Sequence, residues 1–139
     1  MMPKPIELLI FEQDPNVQGI LRSFLAPDRF QLRFVEDKEA VLDLVQNRPI
    51  DVLIMNLLLS DGNGLQACRQ VRKASQKEGI KIIVCSFLRA EDWALEAGAS
   101  AFIQLPYSRR QLLSVVDRVT KSPDRSTVEA DVSTAEAST

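Results

Sequence analysis

The chain has 139 residues, of which 45% are hydrophobic and 26% are charged, and its formal net charge is -2. This length suits one domain that buries a core without help from a metal or a disulfide. The near balance of charge provides no attraction for nucleic acid or for an anionic membrane, and the lack of histidine excludes His-based zinc sites and nucleophiles that use a histidine base.

Residues 7–11, with an apolar run at 8–11, predict a buried strand that is followed by Glu12 and Gln13. Asp14-Pro15 then combines a favoured N-cap with a favoured first helical residue, and so predicts the start of a helix. The apolar face of this helix is predicted to comprise Val17, Ile20, Leu21, Phe24 and Leu25. Apolar and polar residues alternate over 30–34, which predicts a half-exposed edge strand, and Asp37 is placed to cap a second helix.

The run 52–55 predicts a strand buried on both faces, which ends at Asn56. Asn63 and Gln66 predict a capping box at the start of the third helix. Residues 80–86 predict a fourth buried strand that ends at Ser86. A short helix over about 89–97 should end at Gly98. On this helix Trp93 shares a face with Ala90, Ala94 and Ala97, so it either packs against the sheet with them or, if the helix is shortened, turns outward.

Residues 101–104 predict a fifth strand, and Ser108 with Gln111 predicts a second capping box that starts the last helix. Residues 122–139 are rich in Ser, Thr, Ala and acidic side chains and lack periodicity, so we predict a disordered tail or linker after a domain at 1–121. Strict alternation of strands and helices predicts an α/β fold, a doubly wound five-stranded parallel sheet.

Cys68 and Cys85 fall in a predicted helix and a predicted buried strand, where reduced thiols packed in the core are expected rather than a disulfide. The one apolar run near the amino terminus, residues 8–11, is too short for a signal peptide or a membrane-spanning helix. We therefore expect a soluble cytoplasmic protein with no membrane segment and no nucleic-acid partner.

Four stretches resemble, in order and in spacing, the response regulator receiver domain: LIFEQDP at 9–15, Asn56 with SDGNG at 60–64, AGA at 97–99 and LPY at 105–107. The resemblance covers residues 5–120. It implies the flavodoxin-like fold of chemotaxis-type receivers, with strand order 2-1-3-4-5, and a role in two-component signal transduction. In such open sheets the carboxyl ends of the strands form the ligand-binding edge.

The resemblance also implies an aspartate nucleophile, an acidic pair that binds Mg²⁺ and a lysine that steadies the phosphoryl charge. Asn56 stands at the acceptor position, Gln13 beside Glu12 in the acidic pair, and Leu105 at the lysine position. An amide cannot form an acyl phosphate, one carboxylate is a poor Mg²⁺ site, and leucine offers a phosphoryl group no charge. We therefore predict a non-phosphorylatable pseudo-receiver that is not an enzyme and has no catalytic residue, no metal and no cofactor.

The switch positions of the family are Ser86, which keeps the hydroxyl, Phe102, which is aromatic but lacks a phenol, and Leu105. The spacing from Ser86 to Leu105 is shorter than in the family by about three residues, so the fourth helix should lose most of a turn. This change affects the face built from helix four, strand five and helix five, which receivers use for dimerisation or partner docking.

We expect a protein partner, either a signalling protein or a fused output domain, or a homodimer through that face. The candidate contact residues are Trp93, Tyr107, Arg109 and Arg110, because large aromatic and arginine side chains dominate interface energetics. A structural role for each stays open: Trp93 packed against the sheet, Tyr107 half-buried in its loop, and a solvated arginine pair.

Two other functions remain as alternatives to an interaction module. One is an atypical receiver that accepts phosphate at another carboxylate, Asp61 or Glu12. The other is a flavodoxin-like cofactor binder at the same sheet edge, although the loops lack the glycine-rich or hydroxyl-rich cradle that a cofactor phosphate needs.

Overall fold

The computed structural model describes residues 4–59, 63–75 and 79–121, in which five strands alternate with five helices. The strands are β1 (Ile6–Phe11), β2 (Phe30–Val35), β3 (Val52–Asn56), β4 (Lys81–Ser86) and β5 (Ala101–Gln104). The helices are α1 (Pro15–Phe24), α2 (Lys38–Asn47), α3 (Gly64–Ala74), α4 (Glu91–Glu96) and α5 (Arg109–Lys121). The predicted tail at 122–139 lies outside the described residues.

All four strand pairings are parallel, and the strands lie in the order β2-β1-β3-β4-β5. This confirms the predicted doubly wound sheet. β3 lies at its centre, where Ile54 pairs with Ile10 of β1 and with Ile83 of β4. Because every strand runs the same way, the residues that follow β1, β3, β4 and β5 meet at one edge of the sheet.

The core has two layers, one on each face of the sheet, because successive strand side chains point to opposite faces. One layer joins Leu53 and Met55 of β3 to apolar residues of α2, α3 and α4. The other joins Val52 and Ile54 of β3 to apolar residues of α1 and α5. Helices therefore cover both faces, which explains why β3 is apolar without alternation.

All four predicted helix starts are confirmed in position, and three of the four predicted capping interactions are formed. The Asp14 and Asp37 carboxylates each accept a hydrogen bond from a backbone N–H in the first turn of α1 and α2. Ser108 and Gln111 form a reciprocal capping box, in which each side chain accepts from the other residue's backbone N–H at 3.1 and 2.8 Å.

The capping box predicted for α3 is wrong. Asn63 precedes the helix, but its side chain makes no capping hydrogen bond. Its amide instead donates to the side-chain oxygen of Gln66. The two polar side chains satisfy each other, and neither satisfies a free backbone N–H of the first turn.

The structure decides between the two positions that the sequence leaves open for Trp93. Ala90, Ala94 and Ala97 are buried as expected, whereas Trp93 is 63% exposed. Alanines let the short α4 lie close to the sheet, and that close approach leaves no room for an indole on the same face. Ile20 of α1, which was predicted to be part of an apolar face, is likewise 50% exposed.

The side chain of Arg72 in α3 forms hydrogen bonds to the segments that precede and follow β4. Its guanidinium donates to the carbonyls of Ile80 at 2.8 Å and Gly98 at 3.0 Å, and to the Ser100 hydroxyl at 3.2 Å. Gly98 ends the α4 segment with a φ of +108°, a conformation that glycine tolerates, as the sequence predicts. This one side chain therefore positions α4 and β5.

Arg72→Ala should lower the free energy of unfolding by about 2 kcal/mol, because two partly buried carbonyls would lose their donor. Urea denaturation measures this loss. Arg69→Ala, at an exposed position of the same helix, is the matched control and should change stability by about 0.5 kcal/mol or less. Equal effects of the two substitutions would contradict the role assigned to Arg72.

Candidate functional site

A small cavity lies at the carboxyl edge of the sheet. Glu12, Asn56, Cys85, Leu105 and Tyr107 line it above an apolar base, and its volume is about 20 Å³. That is room for about one water molecule. The structure thus brings together residues at the carboxyl ends of β3 and β4 with residues that follow β1 and β5, as the parallel topology requires.

Glu12 directs its carboxylate towards the start of α1. The residue is 8% exposed, and its carboxylate accepts a hydrogen bond from the backbone N–H of Asp14 at 3.0 Å. Its backbone carbonyl also accepts from the Gln18 amide at 2.6 Å. One oxygen of this carboxylate is therefore engaged in shaping the β1–α1 loop.

Gln13 does not line the cavity. Its side-chain amide donates to the backbone carbonyl of Glu36 at 3.0 Å and so links the loops after β1 and β2. The sequence predicts one degenerate pocket of Glu12, Gln13 and Asn56, whereas in the structure Gln13 lies outside the cavity that the other two residues line. An amide in place of a carboxylate makes this contact possible, because a carboxylate has no hydrogen to donate.

Asn56 shapes the loop that leaves β3. Its side-chain oxygen accepts a hydrogen bond from the backbone N–H of Leu58 at 2.9 Å. The backbone N–H of Leu57 donates to the Cys85 carbonyl at 2.9 Å and extends the pairing with β4. The acceptor position of the fold thus holds a neutral amide whose oxygen already has a backbone partner.

Three of the hydrogen bonds that hold the β4–α4 loop involve Ser86 or Gln104. Ser86 is fully buried, and its hydroxyl accepts from the backbone N–H of Leu88 at 3.0 Å. The Gln104 amide donates to the Phe87 carbonyl at 2.6 Å, and the Leu105 N–H donates to the Ser86 carbonyl at 2.8 Å. The Ser86 hydroxyl, at the end of β4, is therefore engaged in a hydrogen bond that holds the loop after this strand.

Phe102 and Leu105 lie beside a second, open groove. Phe102 is partly buried and packs against the core layer that contains α4. Both residues line the groove, together with Trp93. Leu105 also lines the small cavity and therefore borders both spaces.

Tyr107 and Arg109 contact α1 rather than the Trp93 region. The Tyr107 ring packs edge-on against Phe24, with ring centroids 6.3 Å apart, and the Arg109 guanidinium donates to the Phe24 carbonyl at 3.1 Å. Burial raises the pKa of the Tyr107 phenol, and the Cys85 and Glu12 side chains nearby raise it further. Half-burial of Tyr107 is as predicted.

The single partner face predicted for Trp93, Tyr107, Arg109 and Arg110 is therefore divided. Trp93 belongs to α4, and two of the others pack on α1. Arg110 is exposed, as expected of a solvated arginine. Arg109 is exposed as well, and its guanidinium donates a hydrogen bond to α1, so the two arginines do not share one environment.

The residues present do not fit the Mg²⁺ that the fold implies. A Mg²⁺ ion needs an octahedron of oxygen ligands with carboxylates among them. Among the residues that line the cavity, Glu12 supplies the one carboxylate, which already accepts a backbone N–H. Within the described ranges no group of three or more His, Cys, Asp or Glu side chains could hold a metal, and Asp61 lies outside them.

Both cysteines are free and buried, as predicted. Burial raises the pKa of Cys68 to about 11 and that of Cys85 to about 12.

Thiolates are the reactive form of cysteine, so at pH 8 the folded protein should resist alkylation by iodoacetamide while the urea-unfolded chain is labelled at both sites. Peptide mass spectrometry measures this difference, and rapid labelling of Cys85 in the folded protein would contradict it.

Sequence reasoning missed three residues that shape the region beside the cavity. Phe87 and Leu88 lie in the β4–α4 loop and are exposed, and Gln104 holds that loop from the end of β5. The available signal was two large apolar residues directly after a predicted strand, where a loop is normally polar.

Within the described residues no helix has the length and apolar character needed to cross a bilayer.

Comparison with known proteins supports the resemblance over most of the chain. The family described as the response regulator receiver domain matches residues 8–117. Response regulator ArlR of Staphylococcus epidermidis is 29% identical over 119 residues, which are 85% of this chain and 54% of ArlR. Response regulator MprA of a Mycobacterium species is 26% identical over 111 residues, 79% of this chain and 48% of MprA. The chain spans about half the length of these relatives.

Solved structures agree in fold. The receiver domain of sensor histidine kinase PA1611 from Pseudomonas aeruginosa, solved with a magnesium ion in its active site cleft, superposes with a TM-score of 0.74. It is 22% identical, and the match covers 86% of this chain and 100% of that one. A putative response regulator from Chloroflexus aurantiacus gives the same TM-score and coverage at 24% identity. With its strand order and its site at the carboxyl edge of the sheet, this chain belongs to the response regulator receiver domain family.

Proposed function

We propose that this chain is a pseudo-receiver, a module of two-component signalling that binds a protein partner and does not catalyse phosphoryl transfer. The observation that carries the proposal is the pair Asn56 and Leu105, which line one small cavity. In a receiver these positions need a nucleophilic carboxylate and a cation. An amide and an alkyl side chain supply neither.

The surroundings of Asn56 support the same conclusion. The cavity that Asn56 lines has a volume of about 20 Å³ and contains no side-chain cation among its lining residues. Glu12, the carboxylate in its lining, accepts the Asp14 N–H, so one of its two oxygens already has a backbone partner.

A neutral site also suits a module with one stable conformation. Clustered carboxylates repel one another and so favour protonation or a bound cation. With Asn56 and Gln13 that repulsion is absent. The hydrogen bonds from Leu58 to Asn56 and from Leu88 to Ser86 then hold both loops without any phosphoryl group.

The partner in this proposal is a protein, either a separate signalling protein or an output domain. A chain with a net charge of -2 has no basic excess for nucleic acid. Two reduced, buried cysteines suit a reducing compartment such as the cytoplasm, where we expect the protein to act.

Incubation with acetyl phosphate and Mg²⁺ tests the proposal. Intact-protein mass spectrometry should detect no phosphoryl adduct, and a two-dimensional NMR fingerprint should show no saturable shifts around Asn56. Stoichiometric labelling would overturn the proposal. In that event the variants Asp61→Asn and Glu12→Gln would identify the alternative acceptor, because labelling would be lost in one of them.

A further inference from the structure

The strand β2 lies at an edge of the sheet and pairs with β1 on one side. The Glu12 N–H at the end of β1 donates to the Val35 carbonyl at 3.2 Å, so the backbone groups of Val35 point towards β1. Because the backbone groups of successive strand residues point to opposite sides, those of Phe34 and Leu32 point away from β1. Among the described residues no strand pairs with them. An edge of this kind can accept one further strand.

The two faces of this edge differ in chemistry. Leu32 and Phe34 are partly buried against the core layer that contains α1 and α5, whereas Arg33 points to the opposite face. The Arg22 guanidinium lies over the Phe34 ring, 4.4 Å from its centroid, and adds positive charge at the same edge. A strand that fits here is therefore apolar on the α1 side and acidic on the Arg33 side, because opposite charges on neighbouring strands attract.

The segment 128–132 of this chain has that pattern. Val128, Ala130 and Val132 alternate with Glu129 and Asp131, which is the period of a strand with one apolar and one acidic face. This short alternation is an exception to the lack of periodicity in 122–139. Those residues lie outside the ones that the structure describes, and the position of α5 indicates what they can reach.

The end of α5 lies close to the start of β2. Asp117 of α5 forms a salt bridge with Arg29, the residue directly before β2, in which 2.9 Å separates the carboxylate oxygen from the guanidinium nitrogen. α5 ends at Lys121, one helical turn, or about 6 Å, after Asp117. The six residues 122–127 span up to about 20 Å when extended, so Val128 can reach the start of β2.

The topology of the sheet favours the same position. Connections between parallel strands of one sheet are right-handed in nearly all proteins. α1 connects β1 to β2, and α5 packs on the same face of the sheet as α1. A strand beside β2 would follow β5 in the same direction and over the same face. Its connection through α5 would therefore have the same hand as the unit β1–α1–β2.

A second copy of the chain matches this edge less well. An antiparallel pair of β2 strands from two copies would bring Arg33 of both copies to one seam. Like charges on neighbouring strands are destabilising. A segment of the same chain also has the advantage of a short linker, which gives an effective concentration on the order of millimolar.

We propose that residues 128–132 bind the outer edge of β2 as a further strand, parallel to it. The apolar residues of the segment lie on the α1 side, and its two acidic residues lie on the side of Arg33. The segment then occupies backbone groups that would otherwise be open to pairing with another chain. This inference goes beyond the proposed function and does not depend on it.

Amide hydrogen exchange of the full chain, followed residue by residue by NMR, tests the proposal. The N–H groups of Leu32 and Phe34 should exchange about tenfold or more slowly in the wild type than in the variant Ala130→Pro, because proline removes a donor and disrupts a strand. Ala137→Pro, a substitution of the same kind outside the segment, is the matched control and should leave the wild-type exchange unchanged.

Charge reversal tests the predicted face. The double variant Glu129→Arg/Asp131→Arg leaves residues 4–121 unchanged and should lose the slow exchange, because two cations would then face Arg33. Adding Arg33→Glu to this double variant should restore the slow exchange. Circular dichroism should show an intact fold in both proteins.

Three results would overturn the proposal. The first is equal exchange at Leu32 and Phe34 in the wild type and in Ala130→Pro. The second is slow exchange that Glu129→Arg/Asp131→Arg does not affect. The third is slow exchange that is lost on tenfold dilution, since this would show that another copy of the chain occupies the edge.

Discussion

Replacing Gly64 by alanine should lower the free energy of unfolding by about 4 kcal/mol or prevent folding. A Cβ at this position would overlap the backbone carbonyl of Leu57. The obstacle is main chain at the end of β3, so no side-chain rotation can relieve it, and either the loop or the start of α3 must move. Urea denaturation followed by circular dichroism measures the loss.

Gly19→Ala is the matched control for this change. Gly19 lies within α1, and an added Cβ would have no neighbour within 4 Å. Because alanine has a higher helix propensity than glycine, the free energy of unfolding of this variant should rise by about 0.5 to 1 kcal/mol. A Gly64→Ala protein as stable as the wild type would show that the close approach of Leu57 to α3 is not a constraint on the fold.

The triple variant Gln13→Asp, Asn56→Asp and Leu105→Lys should acquire slow phosphorylation by acetyl phosphate, from a wild-type level of zero. The new Asp at position 56 provides a carboxylate that can attack phosphorus. The new Lys at position 105 supplies a cation beside it, since both positions line the same cavity. Intact-protein mass spectrometry and phosphate-affinity electrophoresis measure the product.

The double variant Gln13→Asp/Leu105→Lys, which keeps Asn56, is the control and should remain unlabelled. Labelling of the triple variant should be incomplete, because the Gln13 side chain points to Glu36 and lies outside the cavity. A triple variant that folds but stays unlabelled would mean that the loops held by Leu58 and Leu88 no longer accommodate a phosphoryl group.

Most of the fold was predictable because local sequence patterns indicate each strand and helix. The continuous apolar run at 52–55 indicated a strand covered on both faces, and the alternation at 30–34 indicated an edge strand. Asp14-Pro15 and the pair Ser108 and Gln111 marked two helix starts through side chains that reach their own first turn. These patterns depend on residues that are close together in the sequence, so they predict a strand or a helix start without knowledge of the tertiary contacts.

Less of the site was predictable, because neighbours in space decide it. The loss of charge at Asn56 and Leu105 is plain from residue identity, and the parallel topology places both at one edge of the sheet. The sequence did not indicate that Gln13 turns towards Glu36. It also did not indicate that Tyr107 and Arg109 pack on α1, away from Trp93.

By itself, the sequence determined the order of strands and helices, the resemblance to a receiver and the neutral residues at the edge of the sheet. These follow from periodicity, capping chemistry and residue type, which are properties of short stretches. Only the tertiary structure decided that the alanines of α4 take the close contact with the sheet and leave Trp93 exposed beside Phe87. That outcome depends on the space between a helix and a sheet, which no short stretch of sequence defines.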